Sequence, residues 1–544
     1  MPGRRHRRNE GHSPWRIRTD DSFGNLIVAR EISALAAQRL VCGREELGFL
    51  DMRESGPHSE GHPLFAASLP YSVLEARIGE LAPNRTAPLL LIDGGDATAL
   101  AAAEILEDMG YASVAVVDGG TAGWEQCGLT LYEGVHVPSK TLGELAYERF
   151  EPPTIEPLEL YEWQRQGKDF SLLDCRPAAE FAKKTVPGAT CMPTGEILHR
   201  LSTLATDAPI VLTCAGRTRG IIGACSLALV APTCEVVALE NGTQGWALAG
   251  RELERGAMAE SMPHLSGRQA EKTRSRAKEF ISKFKIAIAD ANSAENLRRC
   301  PSRTTYFFDV RSEEETALDP LDAFRPFAAG QLLQATELAV GVMRSRLVLA
   351  DCLGLRAAVA AFWLRVLGYD ARVAFVDDEI RSLPAAEKPK PPSVDRAELD
   401  AESCLSEVRS GAARLLDVRP SGQFSRSCVE GSAWCSRPRI RELSTSCRWL
   451  ILGGDGPQAE LAAREFSRLG GRDYAVVRGG FEALRSAGAP IRKGIEIPAS
   501  DAVDEASFAR GRHDGDMRAS RRYLDWETGL VSRLSTSERD SFAI

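Results

Sequence analysis

Four times along the chain an apolar run stops at the same polar signature, Asp-x-Arg. The four are Leu50-Asp51-Met52-Arg53, Leu173-Asp174-Cys175-Arg176, Phe308-Asp309-Val310-Arg311 and Leu416-Asp417-Val418-Arg419. Downstream of each comes a second apolar run: Leu89-Leu90-Leu91-Ile92, Ile210-Val211-Leu212-Thr213, Leu347-Val348-Leu349-Ala350 and Trp449-Leu450-Ile451-Leu452. A short loop follows, then an alanine-rich amphipathic segment such as 99–109, 357–367 or 459–469, then a third apolar run at Val114, Val236, Ala371 or Tyr474. Three copies end in a glycine-rich turn with an aromatic: Gly119 to Trp124, Asn241 to Trp246, and Gly479-Gly480-Phe481. The third runs instead into Asp377-Asp378. Strands separated by helical segments predict βαβ units, hence an α/β fold with mainly parallel sheets covered by helices.

The pattern divides the chain into units of about 100 residues, an ordinary domain size. The expected organisation is a polar basic tail at 1–27, a first unit at 28–135, a second at 140–256, a charged linker, helical or flexible, at 257–283, and a third unit at 284–382. A proline-rich linker at 383–394, a fourth unit at 395–495 and a C-terminal tail at 496–544 complete it. In that tail Tyr523, Leu524, Trp526 and Leu530 can share one helix face that docks back.

The second unit carries the candidate chemistry. The run ending at Thr213 delivers Cys214 into Ala215-Gly216-Arg217-Thr218-Arg219-Gly220, and a helical pattern follows. A thiol at a helix N-terminus meets unpaired backbone N–H groups and the positive end of the helix dipole, which favour its ionised form. Cys214 is therefore the expected nucleophile. The N–H groups of 215–220 are expected to cradle it, Arg217 and Arg219 to hold an anionic substrate, and Thr218 to supply a hydroxyl. Asp174 with Arg176 and the aromatic Trp246 are expected to be structural. Cys175, Cys191, Cys225 and Cys234 read as core residues, with a resolving thiol as the alternative.

Aligned on the preceding strand, the cysteine position holds Asp93, Cys214, Asp351 and Gly453. Neither a carboxylate nor a glycine can carry sulfur, so three units are expected to be inert in thiol chemistry. A one-residue slip would put Cys352 in the slot. Against that, Arg356 stands five positions after Asp351 just as Arg219 stands five after Cys214.

Composition narrows the classes. The 544 residues are 44% hydrophobic and 26% charged, with a net charge of −8, which argues against nucleic acid as the main partner. No apolar run approaches the ~20 residues of a spanning helix. The 13 cysteines form no C-x-x-C pairs, which suggests reduced thiols and a cytoplasmic setting. His58 and His62 lie close in sequence without a ligand cluster, so neither a metal nor a cofactor is expected.

The Asp-x-Arg strand end, the cysteine loop and the glycine-rich turn with its tryptophan resemble the rhodanese superfamily. The loop Cys-Ala-Gly-Arg-Thr-Arg, the segment Gly330 to Thr336 and the tail Tyr523-Leu524-Asp525-Trp526-Glu527 are similar to bacterial proteins with four tandem rhodanese-like domains. The resemblance implies a sulfurtransferase: Cys214 takes a sulfane sulfur from an anionic donor such as thiosulfate, becomes a persulfide, and passes the sulfur to cyanide, a thiol or an acceptor protein. Two departures from the common pattern bear on specificity. Arg217 stands where many relatives have glycine, and Lys184-Thr185 where many have Gly-His. No nucleic-acid or membrane partner is implied, and a homodimer is allowed.

Two other classes compete. Cysteine phosphatases and arsenate reductases also use a Cys-to-Arg anion loop, but need the arginine six positions on, where this chain has Gly220. A multidomain scaffold with vestigial chemistry would account for the three empty slots.

Overall fold

The computed structural model describes residues 30–204, 207–385, 397–444, 446–470, 473–498, 501–512 and 514–544. The expected tail at 1–27 and most of the proline-rich linker at 383–394 lie outside the described residues.

Each Asp-x-Arg run is a central strand of its own sheet. In the second unit the order is Thr154–Ile155, Val236–Leu239, Ile210–Thr213, Ser171–Asp174, Thr190–Cys191, with all neighbours parallel. The third sheet (Ala287–Ile288, Asp370–Phe375, Arg346–Asp351, Thr305–Asp309, Arg325–Pro326) repeats that order. So does the fourth (Glu398–Leu399, Tyr474–Val477, Arg448–Leu452, Ala413–Asp417, Ala433–Trp434). Alternating strands and helices make parallel pairing the natural outcome, because each helix carries the chain back across a sheet face. The first sheet differs at one edge. There Leu47–Asp51 also pairs antiparallel with Val342–Met343, a two-residue strand lent by the third unit.

The Asp-x-Arg signature is a strut. In every unit the arginine closes on its own aspartate and donates Nη2 to the carbonyl eight residues on: Gly61 (2.7 Å), Lys184 (2.5 Å), Asp319 (2.6 Å) and Ser427 (2.8 Å). It thereby pins the loop leaving the central strand. Asp174 and Arg176 thus have a structural partner set, with the Thr185 hydroxyl donating to Asp174 at 2.7 Å. Trp246 is buried and its indole N–H donates to the carbonyl of Glu252 at 2.9 Å; Trp124 does the same to Thr130 at 3.2 Å.

The hydrophobic core joins units one to three. A single cluster runs from Leu50 through Leu212 and Trp363 to Tyr523, Leu524, Trp526 and Phe542 of the C-terminal tail. The fourth unit keeps separate clusters and attaches through a buried polar network instead. Arg437 donates to both oxygens of Glu75 (2.5 and 2.9 Å) and to Glu465 (3.1 Å), and it stacks on Tyr71.

Of the two forms expected for the charged linker, helical or flexible, the structure shows the helix over most of it, and shows it packed rather than free as a spacer. Residues Gly267–Phe284 form an 18-residue helix opened by a Ser266–Gln269 capping box. Its Thr273, Ala277, Phe280 and Ile281 are buried, and Phe280 meets Phe362 of the third unit edge-on while Phe284 packs on it at a tilt. A stripe at helical spacing is enough to dock it despite its charged faces. No helix among the described residues is long and apolar enough to cross a membrane.

Candidate active site

Strand Ile210–Thr213 pairs with Ser171–Asp174 so that Thr213 faces Asp174, and Cys214 is the next residue. The same register sets Ile92, Ala350 and Leu452 opposite Asp51, Asp309 and Asp417. Asp93, Asp351 and Gly453 are therefore the topological equivalents of Cys214, and Cys352 lies one position beyond.

The glycine-rich turn after the third strand clamps the back of the cysteine loop. Asn241 and Gly242 both take left-handed backbone (φ 58° and 52°), and a Cβ on Gly242 would sit 2.2 Å from the Cys214 carbonyl oxygen. Only glycine fits so close an approach. From this turn Thr243 N–H donates to the Cys214 carbonyl (2.8 Å) and Gln244 N–H to that of Ala215 (3.2 Å). With these carbonyls engaged behind, helix Thr218–Val230 begins at the front. Ile221 N–H is the first to find the carbonyl of its own turn, that of Arg217 (3.1 Å). The preceding N–H groups have no intrahelical acceptor. Cys214 Sγ lies over this first turn, since a Cβ on Gly220 would meet it at 3.8 Å.

The sister loops show what such a turn binds. Asp93 accepts N–H bonds from Gly95 and Ala99, both at 2.8 Å, and Asp351 accepts from Arg356 N–H at 3.1 Å. Counted from the slot, the equivalent donors around Cys214 are Gly216, Gly220 and Arg219. In units one and three the anion is the protein's own carboxylate; in unit two that space faces a cavity.

Cys214 is only 3% exposed, yet it lines a cavity of about 310 Å³. All the predicted loop residues 215–219 line it as well, and Gly220 lies behind the sulfur. The walls come from elsewhere: Ser59 and His136 from the first unit and its exit, Gln331 and Gln334 from the third, Arg512 and Tyr523 from the tail. The first and third units and the tail thus help to build the chamber around Cys214.

Neither predicted arginine is free. Arg219 makes two 2.8 Å bonds to Glu180, and Arg217 makes bonds of 2.7 and 2.9 Å to Glu144. The Thr218 hydroxyl donates to Glu527 of the C-terminal helix at 2.7 Å. Sequence reasoning missed Lys140, Gln244 and Arg512 as cavity groups, and Glu527 as the partner behind them. Lys140 is nearly buried, and its closest carboxylate is Glu527 at 3.8 Å. Burial pushes its ammonium pKa below the ordinary lysine value, against the pull of Glu527. The faint signal was the apolar face of the tail, which had to dock somewhere.

Three other thiols of this unit, Cys175, Cys191 and Cys225, are buried and held protonated. Burial pushes Cys225 up to about 12 and Cys191 up to about 11, and drives Cys175 higher still. His58 stacks on His62 at 3.8 Å and bonds to Asp51 at 2.8 Å. Among the described residues no group of three His, Cys, Asp or Glu side chains is placed to hold a metal ion.

Comparison with known proteins agrees with this architecture. The family model described as rhodanese-like domain matches residues 34–127 and 156–249, the first two units. The HTH-type transcriptional regulator Rv0324 of Mycobacterium tuberculosis is 32% identical over 103 residues, 17% of this chain; the match spans 42% of that curated relative's length. The crystal structure of a thiosulfate sulfurtransferase from Pseudomonas aeruginosa superposes with a TM-score of 0.87 at 32% identity, covering 95% of this chain and 99% of that one. The strut, the clamped cysteine loop and this end-to-end likeness together establish that the chain belongs to the rhodanese family.

Proposed function

We propose that the chain is a sulfurtransferase that moves sulfane sulfur from an anionic donor such as thiosulfate, through a persulfide on Cys214, to a thiophilic acceptor. One observation carries the reading. At the topological position where two sister units hold a carboxylate on loop N–H groups, the second unit holds a thiol facing a cavity. The Pseudomonas relative, named as a thiosulfate sulfurtransferase, supports the same chemistry.

In this reading the Cys214 thiolate attacks the outer sulfur of thiosulfate. The S–S bond of the donor breaks, sulfite leaves with its electron pair, and Cys214 becomes a persulfide anion. The N–H groups of Gly216, Arg219 and Gly220 stabilise that anion as their counterparts stabilise Asp93 and Asp351. Arg219 is oriented by Glu180, and Lys140, also in the cavity lining, adds a positive charge. Attack by an acceptor on the outer sulfur then returns the thiolate. Free thiols throughout the described chain fit a reducing, cytoplasmic setting.

The test is intact-mass measurement after incubation with thiosulfate. One added sulfur is expected on the wild type and none on Cys214→Ser. Cys300 is included as a control, because hydrogen bonding from Ser302 holds its thiol down to about 7. An adduct that survives in Cys214→Ser but disappears in Cys300→Ser would overturn the assignment. Absence of any adduct with several sulfane donors would favour the scaffold reading.

A further inference from the structure

A second cavity, about 320 Å³, opens between the second unit and the start of the C-terminal helix. It shares Gln244 and Arg512 with the Cys214 chamber, so the two spaces adjoin. Its charged lining is Lys184, Arg251, Arg255 and Arg512 against one carboxylate, Glu252. Among the described residues none of the four cations forms an ion pair within 4.0 Å, whereas Arg217 and Arg219 beside Cys214 are each paired with a carboxylate. The chain as a whole carries a net charge of −8, so this local positive excess runs against its general character.

Lys184 Nζ donates only to the Arg512 carbonyl, and Arg512 Nη1 only to the carbonyls of Phe508 and Ala509, all at 3.4 Å. Arg251 and Arg512 each bury an Nε without an acceptor, and their guanidinium carbons lie over aromatic rings, 3.9 Å from the centre of Tyr161 and 4.7 Å from that of Tyr523. Gln244 is 2% exposed and its Oε1 has no donor. Buried polar atoms without a protein partner are uncommon in native proteins and are completed by water, an ion or a ligand; here they cluster on the cationic wall of one cleft.

Resting on the sulfurtransferase reading, we propose that this cleft is the anion subsite of the sulfur acceptor. It binds the carboxylate or phosphate groups of a small thiol whose sulfur reaches Cys214 past Gln244. Neither Cys214 nor its loop lines the cleft, so the cleft is assigned to the second half-reaction rather than to thiosulfate loading. There the acceptor thiol (RSH) attacks the outer sulfur of the Cys214 persulfide anion. The new S–S bond forms as the old one breaks, giving RSSH and the Cys214 thiolate with no net oxidation. Oriented guanidinium groups suit carboxylate and phosphate oxygens, and anchoring them presents the sulfur at a fixed reach.

The experiment loads the full-length protein with thiosulfate, removes the excess, and follows loss of the added sulfur. Acceptors are glutathione for carboxylates, coenzyme A for phosphates and 2-mercaptoethanol as a neutral thiol. At least one anionic thiol should act at a tenfold lower concentration than the neutral one. The double variant Arg251→Glu, Arg255→Glu should raise the apparent KM for that thiol tenfold or more, and leave 2-mercaptoethanol and thiosulfate loading unchanged. A variant that slows every acceptor equally, or none, refutes the cleft. Calorimetric binding of S-methylglutathione and coenzyme A to the unloaded protein separates the two readings, because it needs no persulfide. Binding lost in the double variant supports the subsite even if loading fails, and absence of binding by both probes to the wild type overturns it.

Discussion

Arg356 holds Asp351 in a fully buried ion pair, with Nε and Nη2 on the same carboxylate oxygen at 3.1 and 2.8 Å, while its Nη2 and Nη1 also bond Glu315. Glu315 stands six residues after Asp309, as Glu180 stands six after Asp174. The third unit is therefore an internal picture of the second with an anion in the slot. One arginine serves the orienting glutamate with its outer nitrogens and the slot anion with its inner edge. Arg219 uses only Nη1 and Nη2 on Glu180, so the same inner edge is available to a persulfide on Cys214.

The first prediction follows from that geometry. Lysine keeps the charge but has one nitrogen, and cannot serve both partners. Arg219→Lys should lower kcat/KM for thiosulfate by roughly 10- to 100-fold, the worth of one or two charge-assisted hydrogen bonds. Glu180→Gln retains an oxygen that can orient the guanidinium and should cost less than tenfold. Steady-state sulfur transfer to cyanide measures both. Wild-type rates in Arg219→Lys would reduce that arginine to a structural partner of Glu180.

The third unit also predicts acid sensitivity. Burial alone would raise the Asp351 pKa, but Arg356 outweighs it and holds the carboxyl below its ordinary range; the same balance holds Glu315 down. A depressed folded-state pKa adds stability that is present above the unfolded carboxylate value near ~4 and is lost as pH falls through the folded value. The wild-type melting temperature should therefore fall steeply below about pH 4. Asp351→Asn should melt lower at pH 7, by the equivalent of about 3 kcal/mol for a broken buried pair, and show a shallower acid slope. Thermal scans between pH 3 and pH 7 test this, and parallel slopes for the two proteins would contradict it.

Much of this architecture is legible in the sequence, because its marks are local. The Asp-x-Arg strut spans three residues and its acceptor lies eight residues on, so pattern matching finds it in every unit. The Asn241-Gly242 turn is readable because only glycine allows so close an approach to the Cys214 carbonyl. What the sequence hides is long-range. Glu527 reaches Thr218 from a helix more than 300 residues away, and Val342–Met343 joins a neighbour's sheet with only two residues. The helix Gly267–Phe284 reads as a charged spacer because Lys and Arg dominate its count, although four buried positions decide its packing. The partners of Arg217 and Arg219 escape for the same reason: Glu144 and Glu180 are ordinary surface-type glutamates until the fold brings them in.

Glu54 gives a prediction of opposite sign. It is buried at the start of helix Ser55–Glu60, and that burial raises its pKa to about 7 even though Ser72 N–H donates to it at 3.1 Å. A raised carboxyl pKa contributes stability below the unfolded value and loses it as pH climbs through the folded one. Glu54→Gln keeps the acceptor for Ser72 and removes the charge. It should be neutral near pH 5 and stabilising at pH 8, by at most about 3 kcal/mol. A melting-temperature difference that stays constant from pH 5 to pH 8 would contradict the assignment.

The fourth unit tests whether a thiol in the slot is enough. A Cβ on Gly453 would lie 2.6 Å from the Cβ of Ala459, so Gly453→Cys must push apart the loop and helix Gln458–Arg468. Overpacking of this kind costs about 1–3 kcal/mol, and Ala459→Gly in the same chain should recover part of it. The repaired double variant still has Gln458 where the second unit has Arg219, five positions after the slot. It should therefore fold, expose a thiol that an alkylating reagent reaches, and yet carry only the one sulfur on Cys214 after thiosulfate treatment. If intact mass shows a second sulfur mapping to residue 453, loop geometry alone suffices for loading and the guanidinium at the fifth position is dispensable.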